Sequence, residues 1–227
     1  MVYSMEVNKN ILLAKKYMVE SIYRSANVEG IGMTFPETQT ICDGMSISGY
    51  TVDEINAVND LKNAWRWIFT NIEKNIGYST VCILNRIAGK FTVINAGSLR
   101  TRYDEPIRVP LRNGMDYYPP LPPSEDIIES KLNDITSDKT LDGALELFCY
   151  VCKSQLFNDG NKRTATLIAN MFMIQNGFGI LSVPVNKIQE FYEALTLFYE
   201  DDANKEDLKD FLKNNCITGN SVETKEV

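Results

Sequence analysis

Histidine is absent from all 227 residues of this chain. No imidazole is available as a general base or as a metal ligand, so the commonest carrier of proton transfer at neutral pH is missing. Long apolar runs are missing too, since nothing approaches the roughly 20 residues a membrane-spanning helix requires. Positive charge is in deficit, with 23 Lys and Arg against 30 Asp and Glu and a formal net charge of −7. That balance argues against a nucleic-acid surface. The opening from Met1 to Glu20 mixes Glu, Asn and Lys with apolar residues and does not read as a signal peptide. A cytoplasmic protein without membrane contact is expected. The five cysteines form an odd set without a disulfide framework. Cys149 and Cys152 have no second pair to complete a zinc site. They share an apolar helix face with Leu141, Ala144, Leu145 and Phe148, so both thiols read as core.

What is present suits a soluble globular protein: 44% hydrophobic and 23% charged residues, in a chain long enough for one helical core and a smaller N-terminal lobe. Apolar spacing predicts a first helix through Ile11–Ile22 that runs into Ser25–Gly30. Residues 34–50, rich in Gly, Ser and Thr, read as loop. Thr51-Val52-Asp53-Glu54 is a capping-box start, followed by a helix with Ile55, Val58, Leu61, Trp65, Ile68 and Ile72 on one face. Another helix is expected over 80–87. Phe91–Ile94 and Ile107–Val109 have strand character and are paired in this reading as a short hairpin. Four of the eight prolines then fall within Pro119–Pro123, a stiff connector ahead of a helix opened by Ser124. Helices follow over 141–154, 162–176, 187–200 and 204–215. The 162–176 helix is apolar nearly all round and reads as the central buried element, ended by Gly177. These boundaries give an N-terminal segment at 1–50, a core at 51–218 and a frayed tail at 219–227.

The chemistry concentrates in Gln155-Leu156-Phe157-Asn158-Asp159-Gly160-Asn161-Lys162-Arg163-Thr164. Here an acidic residue, a glycine and an asparagine sit at the mouth of a helix. A helix N-terminus presents unpaired N–H groups and the positive end of a macrodipole, so anions gather there. Gly160 lets backbone approach a ligand closely, and Asp159 offers a hard oxygen to Mg²⁺. The segment reads as a cradle for a phosphate and its metal ion.

The same run resembles the signature of the Fic/Doc (Fido) family, His-x-Phe-x-Asp/Glu-Gly-Asn-Gly/Lys-Arg. Phe157, Asp159, Gly160, Asn161, Lys162 and Arg163 match in register, and the catalytic histidine falls on Gln155. Upstream, Ser25-Ala26-Asn27-Val28-Glu29-Gly30 resembles the family's inhibitory motif, in the arrangement where its helix precedes the core. The resemblance implies a mainly α Fic helical bundle with a short β-hairpin flap, of bacterial type. It implies binding of ATP and Mg²⁺, and transfer of AMP to a hydroxyl on a target protein held at the flap by Ile107, Arg108 and Val109. Main-chain pairing of that kind tolerates many target sequences. Homodimerisation is left open.

By the same resemblance Asp159 holds the metal. Asn161 and the N–H groups around Gly160 form the anion hole, Phe157 anchors the loop and Arg163 pairs with a phosphate oxygen. Gln155 departs from the pattern. An amide takes up no proton near pH 7, so catalysis is weakened or lost, with at most hydrogen-bonded positioning of a hydroxyl retained. Lys162 stands where adenylylating members often carry Gly, and is shared with the Doc branch, which moves the terminal phosphate instead. Glu29 lacks its usual arginine partner, whose place is taken by Thr166, so inhibition by Ser25, Glu29 and Gly30 would need Lys162 or Arg163. Two readings stay open: an enzyme of reduced or altered activity, and a pseudoenzyme that binds a nucleotide or partner without turnover.

Overall fold

The computed structural model describes residues 4–112 and 114–219. The frayed tail expected over 219–227 lies, from residue 220 on, outside them. The chain begins with α1 (Val7–Val28), whose last turn carries Ser25 and is closed by Glu29 and by Gly30 at φ 83°. Residues 34–50 depart from the loop reading, because α2 occupies Phe35–Cys42. Its signal is in the sequence: Thr34 begins a capping box in which the Glu37 carboxylate accepts from the Thr34 N–H at 2.8 Å and hydroxyl at 2.6 Å, with Pro36 in the first turn.

The next helix, α3 (Val52–Thr70), starts at the expected box. The Glu54 carboxylate accepts from the Thr51 N–H at 2.7 Å and its own N–H donates back to the Thr51 hydroxyl at 3.2 Å. The backbone and side-chain bonds from Thr51 hold the Glu54 carboxyl below its ordinary pKa. A depressed carboxylate contributes stability that is present above its unfolded pKa and is lost as pH falls through the folded one. Thr51→Ala is therefore expected to lower Tm by about 2–4 °C at pH 7. The difference from the parent should shrink as pH falls from the ordinary glutamate range through the depressed folded pKa, below which Glu54 is protonated in both states. A Tm gap unchanged between pH 7 and pH 3.5 would assign the effect to packing.

After α4 (Tyr78–Ala88), the stretch expected to form a first hairpin strand folds into turns. The amides of Thr92 and Val93 both donate to the Gly89 carbonyl, and Asn95 adopts a left-handed φ of 55°. The Phe91 N–H, which would pair in a ladder, donates instead to the buried Asp60 carboxylate on α3 at 3.1 Å. The hairpin is made further on, by β1 (Val109–Pro110) and β2 (Asp116–Tyr117), antiparallel with Val109 opposite Tyr117. Ile107 and Arg108 lie just ahead of β1, so of the flap residues only Val109 is in the ladder.

The proline connector leads into α5 (Glu125–Ser137), and α6 (Leu141–Ser154) and α7 (Asn161–Asn176) then form the most extensively packed helix pair. The central position expected for α7 is observed: twelve of its sixteen residues are buried, against α6 on one side and α4, α1 and α3 on others. Gly177 closes it at φ 76° with Met5 stacked so near that a Cβ would lie 2.0 Å from the Met5 carbonyl oxygen. Beyond it come β3 (Ile180–Leu181), α8 (Ile188–Glu200), α9 (Lys205–Asn215) and β4 (Ile217–Thr218), with β3 and β4 paired antiparallel. Cys149 and Cys152 are buried thiols facing this core, and burial pushes the Cys152 thiol up to about 11. Among the described residues no helix is long and apolar enough to cross a membrane.

Candidate functional site

The turn between α6 and α7 forms one wall of a cleft of about 970 Å³. The opposite wall is the 103–110 arm leading into β1, with Ile94 from the preceding turns, and Tyr192, Leu195, Thr196 and Tyr199 of α8 close one side. Gln155, Asn158, Asp159, Gly160, Asn161 and Lys162 line the cleft together with Glu29, Ile107, Arg108 and Val109. Glu29, residues 107–109 and the 155–162 turn therefore meet in one place, although they are far apart in the chain.

Two left-handed residues shape the turn: Gln155 at φ 44°, which closes α6, and Gly160 at φ 75°, which opens α7. Gly160 is required by more than its φ, because a Cβ there would sit 3.2 Å from the Asn85 side-chain amide. The first N–H groups of α7 then point out of the helix end without intrahelical carbonyls. Asp159 stands beside them with 63% of its side chain exposed. One of its oxygens accepts from the Gly160 N–H at 2.6 Å and the other lies 3.5 Å from Arg163 Nη2. A single exposed carboxylate next to a helix N-terminus fits Mg²⁺, which is commonly held by one or two carboxylates together with a substrate's phosphates.

The two amide side chains face inward. Asn161 is 4% exposed; its oxygen accepts from the Phe157 N–H at 3.0 Å and its nitrogen donates to Phe157 O at 2.8 Å and Gln155 Oε1 at 3.0 Å. Gln155 is 8% exposed and donates from Nε2 to Cys152 O at 2.7 Å and to the Tyr199 hydroxyl at 2.9 Å. Both ends of the Gln155 amide are engaged within the turn. Burial holds the Tyr199 phenol well above its ordinary range, so it stays a neutral partner. Phe157 is buried beneath the turn.

Arg163 is brought to the site but lies behind its wall. Its Nη1 donates to Ala88 O at 2.8 Å and to the Thr92 hydroxyl at 3.3 Å, while Nε lies 3.7 Å from Glu29. Glu29 also lies 3.7 Å from Lys162 Nζ. The carboxylate thus bridges two cations at the end of the cleft, and Thr166, where the resemblance puts the partner arginine, donates to Lys162 O instead. Burial opposes the Lys162 charge, but the opposing charge of Glu29, with smaller contributions from Tyr192 and others, holds its pKa above the ordinary lysine value. Ser25 and Gly30 make the frame: the Glu29 N–H donates to Ser25 O, and Gly30 turns the chain away.

Several residues that hold the site are not marked in the sequence. Asn85 on α4 donates to Asp159 O at 3.0 Å and to the Thr164 hydroxyl at 3.1 Å, and accepts from the Gly97 N–H at 2.7 Å. A polar residue inside the apolar stripe of Val81, Leu84 and Ala88 was its one visible signal. Asp104, held below its ordinary pKa by the Thr101 backbone and side chain, accepts from Asn158 at 3.1 Å. Tyr192 places its ring 5.8 Å from Lys162 Nζ and donates its hydroxyl to Val28 O, pinning the end of α1.

Compared with known proteins, residues 58–173, just over half of the chain, match the Fic/DOC family. The chain belongs to the Fic/DOC family. The match spans α3 to α7 and contains the whole 155–163 turn of this Fic protein. Among curated relatives, the protein adenylyltransferase Fic of Drosophila willistoni is 24% identical over 92% of this chain and 41% of its own length. The protein adenylyltransferase fic-1 of Caenorhabditis elegans is 27% identical over 85% of this chain and 38% of its own length. The chain spans about two fifths of these relatives. Among solved structures, a C. elegans Fic-1 fragment superposes with a TM-score of 0.69 at 23% identity, over 89% of this chain and 61% of the fragment. A Fic-domain-containing signalling protein from Bacteroides thetaiotaomicron gives 0.74 at 19% identity, over 89% and 82%. The helical bundle with a short hairpin, expected from the sequence, is the observed fold.

Proposed function

We propose that this Fic protein binds ATP with Mg²⁺ at the 155–163 turn and transfers AMP, at a rate lowered by the missing base, to a hydroxyl of a protein segment lying along the 107–110 arm. The observation that carries this reading is the single cleft bounded by an exposed Asp159 and the α7 N-terminus on one side and the hairpin arm on the other. Phosphates would meet the outward N–H groups of α7, Asp159 would hold Mg²⁺, and Lys162 would face the far phosphates. The bound metal ion would supply charge neutralisation to the phosphates. Attack on the α-phosphate forms the new P–O bond and releases pyrophosphate. The hydroxyl proton then passes to solvent, because no side chain at position 155 takes it. Glu29 occupies Lys162 and Arg163 and so competes with the phosphates. A cytosolic location, with its ATP supply and reducing conditions for five buried thiols, fits the same reading.

A second reading rests on Gln155 itself. With its amide engaged by Cys152, Tyr199 and Asn161, the residue is a structural cap of α6, which suits a module that binds nucleotide or partner without turnover. The first reading and the nucleotide-binding form of the second both require nucleotide binding. Mg·ATP at about 100 times Kd is expected to raise Tm by roughly 5–10 °C, from about 2.7 kcal/mol of linkage. Asp159→Ala should lose most of that shift and Glu29→Gly should enlarge it. No shift in either the parent or Glu29→Gly would sink both of these and leave only a partner-binding module.

A further inference from the structure

Arg100 lies between the 89–97 turns and the hairpin, outside any helix or strand, yet it is only 7% exposed. Its bonds run in two directions. Toward the turn, its backbone N–H donates to Leu156 O at 3.0 Å and its Nε to Gln155 O at 2.5 Å. Toward the hairpin stem, Nη2 donates to Pro119 O at 3.2 Å and to Pro120 O. These carbonyls need an outside donor. Gln155 is a left-handed residue that closes α6, so its carbonyl has left the helical ladder. Pro119 and Pro120 follow β2 in a proline-rich stretch with few N–H groups to pair with. A charged, planar fork answers both sets at once, with bonds stronger than neutral ones.

The β1–β2 ladder is two residues long on each strand, too short to hold itself in place. Its stem is fixed by Tyr117, whose ring packs 5.3 Å from Tyr199, and by the Arg100 fork. We propose that Arg100 is a positioning residue that sets the hairpin in register with position 155. It thereby sets the distance between a hydroxyl presented on the arm and a phosphate held by the turn. This rests on the proposed function, in which the arm presents the target and the turn holds the nucleotide. Arg100 touches neither reacting group; it acts through the two carbonyl sets it joins.

The test compares Arg100→Ala and Arg100→Lys in a Gln155→His, Glu29→Gly background, reading the Mg·ATP Kd separately from kcat and KM for target. Loss of register is expected to lower kcat on the order of 10²-fold, the cost of about 1 Å of misplacement, with the nucleotide Kd within about twofold. Added methylguanidinium should restore part of the loss in Arg100→Ala. Arg100→Lys should stay impaired, because one ammonium cannot span both carbonyl sets. Hydrogen exchange on the otherwise native chain provides an arm that needs no activity: in Arg100→Ala, residues 107–117 and 155–158 should lose protection together while α3 keeps its own. If no variant transfers label, the proposed function falls and exchange alone decides the register. Loosening of only one segment would overturn the proposal. So would a fall in Kd affinity equal to the fall in kcat, or a Lys variant equal to the parent. Should Arg100→Ala not fold, Arg100→Lys carries the same comparison.

Discussion

Transfer of α-label from ATP by Gln155→His, Glu29→Gly is expected to exceed that of Glu29→Gly alone by about 10²–10⁴-fold, the usual contribution of a positioned general base. Glutamine accepts no proton near neutral pH, and the Gln155 amide is in any case turned toward Cys152 O and the Tyr199 hydroxyl. No other imidazole exists in the chain to substitute. Of the carboxylates that line the cleft, Asp159 is taken by the metal in the proposed reading, and two more are poorly suited to the task. Glu29 is paired with Lys162 and Arg163, and Asp104 is held below its ordinary pKa by Thr101, which weakens it as a base. Opening Glu29 is part of the experiment because, in the proposed reading, its ion pair with Lys162 competes with the phosphates on which a base at 155 would act. A histidine in this position should also bring a rising limb in rate near pH 6–7, from an ordinary imidazole pKa of about 6.5, that the parent lacks. Label from the γ-position instead of the α-position would assign phosphate transfer in place of the proposed AMP transfer. A gain below threefold, with Mg·ATP binding intact, would leave the non-catalytic binding module as the reading.

Asn161→Ala should be among the most destabilising substitutions in the turn, at about 2–5 kcal/mol, because it leaves the Phe157 N–H, Phe157 C=O and Gln155 Oε1 without their partner inside the protein. Unsatisfied buried polar groups carry their full desolvation penalty, whereas a hydrogen bond exchanged with water is nearly neutral. For a chain of this size the corresponding fall in Tm is roughly 5–15 °C, and urea midpoints provide an independent measure. Asn158→Ala is the internal control: it removes one bond to Asp104 near the surface and should cost less than about 1 kcal/mol. If Asn161→Ala unfolded within 1 kcal/mol of the parent, the residue would be an outward phosphate contact and not the brace of the turn.

The contrast between these two positions shows how far local pattern reaches. The sequence placed the turn and its Asp-Gly-Asn core, because both are written in consecutive residues with fixed backbone demands. It also placed α3 through its capping box and α7 through its apolar periphery. The same logic missed α2, although Thr34, Pro36 and Glu37 spell a helix start, because Gly and Ser further along the segment outweighed them. It put a strand at Phe91–Ile94 on β-branched character alone. There the competing partner was Asp60, thirty-one residues away, which takes the Phe91 N–H and leaves the stretch to fold as turns.

What the sequence determined by itself is therefore the helical class, the family and the absence of any histidine, at position 155 as elsewhere. Those follow from spacing along one chain and from which side chains can titrate. Tertiary structure alone decided which way the amides of Gln155 and Asn161 turn and that Arg163 sits behind the cleft on Ala88 O. It also decided that Glu29 finds Lys162 and Arg163 in place of an arginine at 166, and that Arg100 joins the turn to the hairpin stem. The physical reason is common to all four. Polar groups folded away from water take whichever partner the chain brings within hydrogen-bond or ion-pair reach, and for most of these groups that partner is dozens of residues away, where no local period or propensity records it.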